Sequence, residues 1–220
     1  INFGVNNQNI LKNKYSSNHL DINNMDRFVS THQKLNQLIL MIGNQTCPQS
    51  NFEYLPLKVL ESYLSFGMSS ILFKLFREKN GLTYDVGVFN PCRKENSPFL
   101  IYLSVSNENA LLAFKILSEL WKNLVTILIT DKEINFAKVK LKSSFLFHNQ
   151  TLDEILQRRI QLIGYDLDRN FDKDCLKRLE GINSGDILKV TNKYFSKPFL
   201  SIYGDINICN EIKKLWIENF

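Results

Sequence analysis

The sequence predicts an α+β fold, in which helices pack on one face of an antiparallel sheet. Two observations lead to this prediction: segments with strand character are neighbours along the chain, and helical segments are grouped instead of alternating with single strands. A third is size and composition. With 220 residues, 44% of them hydrophobic and 22% charged, the chain is long enough for one substantial core.

The polar start of the chain is set apart from this fold. Residues 1–27 are rich in asparagine and contain few apolar side chains that could anchor a core, which is typical of an interdomain linker or a loosely attached arm. We therefore expect an arm at 1–27 and an α+β domain at 28–220. The first strand of that domain is predicted at 34–43, "KLNQLILMIG", a short apolar run that stops at Gly43-Asn44.

Two helices and two strands are predicted next. The run at 51–67 predicts a helix with Asn51 as its N-cap. "MSSILFKLFREKN" (68–80) predicts a second helix, and Gly81 stands where helices commonly end in a left-handed residue. Two apolar runs joined by a polar loop then predict an antiparallel pair of strands, at 82–90 and 98–106.

The remaining chain is predicted to be mainly helical. A long helix covers 108–128. Two capping boxes, Thr130 with Glu133 and Thr151 with Glu154, predict the starts of two more helices. The last predicted elements are a helix capped by Ser184 and running to Tyr194, a strand at 198–205 and a helix at 207–219.

Composition and charge argue against several function classes. No run approaches the ~20 apolar residues that cross a bilayer, and no signal peptide is visible, so we expect a cytoplasmic protein unless a signal lies upstream of Ile1. The four cysteines lack C-x-x-C spacing, which favours reduced thiols over zinc ligands. The net charge of +5 would allow an acidic partner, but the lysines are dispersed, which favours solvated helix faces over a nucleic-acid-binding surface.

The chain contains no recognisable catalytic motif of its own. Its three histidines, His19, His32 and His148, belong to neither H-E-x-x-H nor H-x-x-E-H, the patterns that place two imidazoles one helical turn apart for zinc. A nucleophile elbow, a Walker loop and a dinucleotide-binding glycine pattern are also missing from the sequence. We therefore predict no metal site in this chain.

Arg77 and Tyr84 flank one tight turn in "LFREKNGLTYDVGVF" (75–89). A structural interpretation is sufficient on spacing alone, because a cation in the last turn of a helix is favoured by the dipole and tyrosine is an ordinary strand residue. The alternative is that both side chains converge and donate to one carbonyl or oxyanion, since arginine supplies fixed charge and tyrosine a neutral donor.

These residues carry a resemblance to a known family. The segment Gly67-Met68-Ser69-Ser70, followed by a hydrophobic pair and by "REKNGLTY" (77–84), resembles the pitrilysin/insulinase family of zinc metallopeptidases, which includes the mitochondrial processing peptidase. It is similar to the second of the two homologous halves of those enzymes. The likeness extends over 28–220, with a first strand that contains Gln37 and a last strand at 200–206.

The resemblance implies a division of roles between two α+β halves that face each other like a clamshell. The first half would carry H-x-x-E-H and the zinc. The second half would carry no cofactor but would contribute Arg77 and Tyr84 to the bound peptide. The turn Phe66, Gly67, Met68 and Ser69 would contact substrate, although Phe66 stands where the family has glycine and would restrict close approach of a peptide backbone.

The sequence therefore predicts the non-catalytic half of a zinc-dependent endopeptidase, which closes over peptide and is inactive alone. Its partners would be the zinc-bearing half, in the same polypeptide or as a second subunit of a homo- or heterodimer, and a peptide substrate. The alternative is an inactive scaffold or partner subunit of the same family. The presence of H-x-x-E-H upstream of Ile1 or in a neighbouring gene would favour the enzyme.

Overall fold

The computed structural model describes residues 26–147 and 150–220. Within this part of the chain, five strands form one sheet in the order β1-β5-β2-β4-β3. β1 runs parallel to β5, and all other neighbours are antiparallel. The strands are β1 (Phe28–His32), β2 (Gln37–Thr46), β3 (Asp85–Phe89), β4 (Ser97–Ser106) and β5 (Phe199–Gly204).

Seven α-helices are found in the described residues, together with a 3₁₀ turn at Asn107–Asn109 and a π-helical segment at Phe73–Lys79. The α-helices are α1 (Tyr54–Ser65), α2 (Ala110–Thr126), α3 (Asp131–Phe147), α4 (Leu152–Gly164), α5 (Phe171–Leu179), α6 (Ser184–Phe195) and α7 (Ile206–Asn219). α1, α2, α6 and α7 pack on the sheet and α3 packs on α1. In the same described part, no helix is both long and apolar enough to cross a bilayer.

The sheet has a helix-covered face and an open face. In β2, Leu38, Leu40 and Ile42 are fully buried, whereas the intervening Met41 is 41% exposed. Met41 pairs with Tyr102 of β4, whose residues alternate between buried and half-buried in the same way. Because successive side chains point to opposite faces of a sheet, this alternation leaves one face to the helices and the other to solvent. The predicted α+β fold is confirmed.

The core is held by aromatic side chains from different helices and strands. Trp121 of α2 stacks on Phe195 of α6, with 4.5 Å between ring centroids, and its indole N–H donates to the Phe195 carbonyl at 2.9 Å. The ring centroids of Phe99, in β4, and Phe195 are 5.0 Å apart. All three residues are fully buried. This cluster joins the sheet to two of the helices.

The structure differs from the sequence prediction in the first two strands. No strand is predicted before residue 34, yet β1 occupies Phe28–His32, because pairing with β5 stabilises a short segment with weak apolar alternation. β2 does not stop at Gly43 but continues to Thr46, which pairs with Ser97 at the start of β4. Gly43 suits this strand, since a Cβ there would lie 2.2 Å from the Phe99 carbonyl oxygen.

Helix caps also differ in two places. The N-cap of α1 is Glu53 and not the predicted Asn51, whose side chain instead accepts from the Glu53 N–H at 2.8 Å. The boxes at Thr130 and Thr151 are formed as predicted. The N-cap of α6 is Asn183, not the predicted Ser184, because the Asn183 side chain accepts from the Asp186 N–H and the Asp186 carboxylate reciprocates. The predicted arm at 1–27 lies outside the described residues except for its last two, so it stays a prediction, as does the domain boundary at 28.

Candidate functional site

Arg77 and Tyr84 lie on the connection between α1 and β3. Two helical residues, Ile71 and Leu72, lead into the π-helical segment Phe73–Lys79, which contains Arg77. The sequence predicts a plain helix here. π-helical turns are rare and occur frequently at functional sites, because the wider hydrogen-bond pattern shifts the direction of side chains relative to an α-helix.

The end of this segment is fixed by Gly81. Gly81 has a positive φ of 58°, a conformation that glycine adopts without steric cost. Its N–H donates to the Arg77 carbonyl at 3.2 Å, and the Leu82 N–H donates to the Phe76 carbonyl at 2.8 Å. Leu82 is buried, so the chain turns sharply toward β3 directly after the helical segment. The predicted position of Gly81 as a helix end is confirmed.

Thr83 fixes the position of Tyr84. The Thr83 hydroxyl donates to the carbonyl of Ser104 in β4 and accepts from the Asp85 N–H at 3.0 Å. Thr83 itself is buried. The Tyr84 backbone is thus held between an anchored threonine and the first residue of β3, while its side chain is 87% exposed.

The Arg77 guanidinium lies against two aromatic rings. Its carbon Cζ is 5.1 Å from the centroid of the Tyr84 ring and 5.0 Å from that of Phe73. Such exposed cation–π contacts are each worth about 0.5–1 kcal/mol. Among the described residues, the guanidinium has no hydrogen bond or ion pair, so its N–H donors are available to a ligand. The structure brings Arg77 and Tyr84 together on the surface; their catalytic role stays a prediction.

The turn at 66–69 presents its residues in different directions. The Phe66 ring packs against the core, and its carbonyl accepts from the Lys140 ammonium at 2.8 Å. Gly67 has a φ of 74°, Met68 is 74% exposed and Ser69 is exposed beside a cavity. In the described part of the chain, no hydrogen bond or ring contact joins this turn to Arg77 or Tyr84. The predicted substrate-binding role of the four turn residues stays a prediction.

Several residues around the site could not be predicted, or were not, from the sequence. Phe73 precedes Arg77 by four residues, and this spacing alone could have indicated that both lie on one helix face. The anchoring bond of Thr83 to Ser104 depends on strand pairing and left no signal in the sequence. A group of lysines near Ser69 was read only as part of a dispersed basic surface.

The residues that the structure describes do not fit a zinc ion. Within 26–147 and 150–220, no group of three or more His, Cys, Asp or Glu side chains is arranged to hold a metal. His32 is exposed at the end of β1. His19 and His148 lie outside the described residues.

Comparison with known families decides the identity of the chain. Residues 4–141 match the sequence profile of the peptidase M16 inactive domain. The chain belongs to this family. The resemblance to the zinc-lacking half of the pitrilysin/insulinase metallopeptidases is thereby confirmed.

Two curated relatives of this M16 inactive domain are named as uncharacterized zinc proteases. The protein from Rickettsia felis is 28% identical over 175 residues, which cover 75% of this chain and 40% of the relative. The protein from Rickettsia bellii is 25% identical over 180 residues, which cover 77% of this chain and 41% of the relative. The M16 domain therefore spans about two fifths of the length of the relatives it matches.

Solved structures share its fold at lower sequence identity. A peptidase M16 inactive domain from Pseudomonas fluorescens superposes with a TM-score of 0.73 at 20% identity, over 81% of this chain and 43% of the other. A protease from Helicobacter pylori superposes with a TM-score of 0.72 at 19% identity, and the match covers 80% of this chain and 43% of the other. A chain of Complex III2 from Candida albicans superposes with a TM-score of 0.64 at 15% identity, and the match covers 84% of this chain and 49% of the other. The same fold thus occurs in chains described as a peptidase M16 inactive domain, as a protease and as part of Complex III2.

Gly81→Ala is expected to destabilise the M16 domain by about 1–2 kcal/mol, because an L-residue at this positive φ is strained. No neighbouring atom would meet the added Cβ, so the loss reports backbone strain and not a clash. Urea unfolding followed by circular dichroism would measure it. Gly164→Ala, also with open space around the Cβ but without a positive φ, is the matched control. Equal stability of both variants would contradict the assigned strain.

Proposed function

We propose that this M16 inactive domain is the second half of a zinc-dependent endopeptidase, which closes over a peptide and donates hydrogen bonds from Arg77 and Tyr84 to it. The observation that carries the proposal is the meeting of these two exposed side chains at one capped turn, with the guanidinium 5.1 Å from the phenol ring. Membership of a family whose curated relatives are named zinc proteases supports it.

The two donors suit a carbonyl oxygen on which negative charge develops. Arginine is charged at all physiological pH values and offers several N–H groups in a fixed plane, whereas the tyrosine hydroxyl is a neutral donor. Since Gly81 and Thr83 fix the backbone on either side, both groups would be in place before substrate arrives. Donors arranged in advance stabilise a transition state without the cost of reorganisation.

The metal chemistry belongs to the other half in this proposal. A zinc ion bound there would act as a Lewis acid and activate water for attack on the peptide. The part of this chain would be to bind, orient and shield the peptide at the rim of that site. We place the enzyme in the cytoplasm, in keeping with the sequence analysis.

Exposed apolar surface supports a companion half. Four side chains of α4 are more than half exposed, although the helix is amphipathic, and they are Leu152, Leu156, Ile160 and Ile163. The open face of the sheet also carries apolar side chains, including Met41 and Phe89. Groups of exposed apolar side chains on one helix or sheet face commonly mark a protein interface.

Reconstitution tests the proposal directly. The chain would be combined with the polypeptide encoded upstream or beside it, and hydrolysis of an internally quenched peptide library would be followed with zinc present. We expect no hydrolysis by this chain alone and hydrolysis by the combination. An inactive combination, in which the companion carries H-x-x-E-H and binds zinc stoichiometrically, would contradict the proposal.

A scaffold role is the second candidate, because the fold also occurs in a chain of Complex III2 from Candida albicans. The two candidates differ in the companion. A companion in which the H-x-x-E-H residues are replaced, and which still forms a stable complex with this chain by gel filtration, would favour the scaffold.

A further inference from the structure

A second candidate site lies on the helical side of the domain, between the start of the π-helical segment and α3. It is a cavity of ≈ 800 Å³ that neither Arg77 nor Tyr84 lines. Its polar and charged lining includes three lysines and one carboxylate, and its apolar walls come from both elements. Its lining includes Tyr63, Ile71, Lys74, Lys132, Glu133, Phe136, Val139 and Lys140.

The three lysines of this cavity have no carboxylate partner in the described part of the chain. The Lys140 ammonium donates to the neutral Phe66 carbonyl and lies 4.7 Å from the centroid of the Phe136 ring. Lys74 and Lys132 form no ion pair among the described residues. Burial, together with the nearby positive charge of Lys74, lowers the pKa of Lys140. An anion between Lys74 and Lys140 would relieve this repulsion.

The single carboxylate of the cavity is already engaged. Glu133 accepts from the Thr130 N–H at 3.1 Å and from the Thr130 hydroxyl at 2.6 Å, where it caps α3. Burial, with the charge of Glu133 and a hydrogen bond to it, raises the pKa of Tyr63 to about 12, so this phenol remains a neutral neighbour of the carboxylate. Glu133 is therefore directed toward the helix cap and Tyr63, and the cavity keeps an excess of positive charge.

The walls of the cavity would accept apolar side chains. Phe136 and Val139 are 55% and 61% exposed on α3. A second groove of ≈ 640 Å³ adjoins the cavity and shares Tyr63 and Ile71 with it. The lining of that groove is largely aliphatic and includes Leu112, Ile116, Ile127 and Leu128. The basic cavity thus adjoins a groove whose lining is mainly aliphatic but also contains Lys79 and Glu119.

We propose that this surface is a docking site for an extended acidic peptide segment, whose carboxylates meet Lys74 and Lys140 and whose apolar side chains enter the adjoining groove. Charge complementarity selects this occupant, because Lys74 and Lys140, two cations without a carboxylate partner in the described part of the chain, stand beside apolar walls. An extended segment can contact the cavity and the adjoining groove at once, because the two share Tyr63 and Ile71 in their lining. The site goes beyond the proposed peptidase role, since it requires neither zinc nor a companion half.

Fluorescence anisotropy with a defined probe tests the proposal. The probe is a fluorescein-labelled peptide of about 12 residues with glutamates in one half, for the lysines, and leucines in the other half, for the groove. We expect saturable binding to the 220-residue chain that weakens as NaCl rises from about 50 mM to about 500 mM. Lys74→Gln with Lys140→Gln is expected to weaken binding about tenfold, whereas glutamine in place of glutamate in the probe should remove most of the salt dependence.

The control variant carries Lys189→Gln with Lys214→Gln. Both lysines are exposed, on α6 and α7, and neither lines the cavity, so the control loses the same charge as the test variant but at other positions. It should bind the probe as the unmodified chain does. Equal weakening in the two double variants would show attraction by net charge alone and would overturn the site. Because Lys140 bonds to the Phe66 carbonyl, the single change Lys74→Gln keeps the test valid if the double variant unfolds. It should weaken binding about threefold, and no change would also overturn the proposal.

Discussion

Arg77→Ala is expected to lower the kcat/KM of the assembled peptidase about 10²–10³-fold, the usual loss when one donor to a developing oxyanion is removed. The guanidinium has no other hydrogen bond or ion pair in the described residues, so its removal should disturb the fold little. What it loses within the domain is its contact with the rings of Phe73 and Tyr84. Tyr84→Phe retains the ring and removes only the hydroxyl, and it should lower kcat/KM about tenfold or more.

Steady-state hydrolysis of a quenched peptide by the reconstituted enzyme would measure both effects, with zinc content checked by metal analysis. Zinc content should not change, since neither residue belongs to the metal-bearing half in this proposal. Lys79→Ala provides a matched control, because Lys79 is an exposed cation on the same π-helical segment. Unaltered kcat/KM in both the Arg77 and the Tyr84 variant would remove these residues from the mechanism.

Trp121→Ala should lower the free energy of unfolding by about 3–5 kcal/mol, the largest stability effect we expect from a single change. The indole is fully buried, stacks on Phe195 and donates its N–H to the Phe195 carbonyl. Alanine would leave a cavity and an unsatisfied carbonyl in the centre of the core. Loss of a bond to a buried carbonyl adds about 1 kcal/mol or more to the loss of apolar contacts.

Urea unfolding followed by far-UV circular dichroism would measure this change without relying on tryptophan fluorescence. Trp121→Phe keeps an aromatic ring but loses the donor, so it should cost clearly less than alanine. Phe52→Ala, at a residue that is 69% exposed, should change stability by less than about 0.5 kcal/mol. A Trp121→Ala domain as stable as the Phe52 variant would mean that the α2–α6 contact does not hold the core.

Much of the architecture follows from local patterns in the sequence. The capping boxes at Thr130 and Thr151, the helix-ending Gly81 and the apolar run of β4 each specify their element within a few residues. Non-local contacts decide the rest. The range of β1 depends on pairing with β5, and the continuation of β2 past Gly43 depends on β4. Neither is encoded in the segment itself.

The candidate site, like the fold, could be predicted from the sequence only in part. The spacing of Arg77 and Tyr84 around a glycine turn is visible in the sequence, and the structure brings the two side chains together. The π-helical geometry could not be read from the sequence, because the segment has an ordinary helical composition. The lysine cavity was missed because Lys74, on the π-helical segment, and Lys140, on α3, are far apart along the chain and line one cavity only in the folded domain.

The placement of β5 between β1 and β2 has a consequence for biosynthesis. Strand β1 is complete at His32, but its parallel neighbour in the sheet begins at Phe199. At about 5–20 residues per second, a ribosome needs on the order of ten seconds or more to deliver that neighbour. Until then the nascent chain presents β2 with one unpaired edge and β1 with no neighbour. Polypeptides released before β5 is made would therefore be substrates for chaperones and proteases.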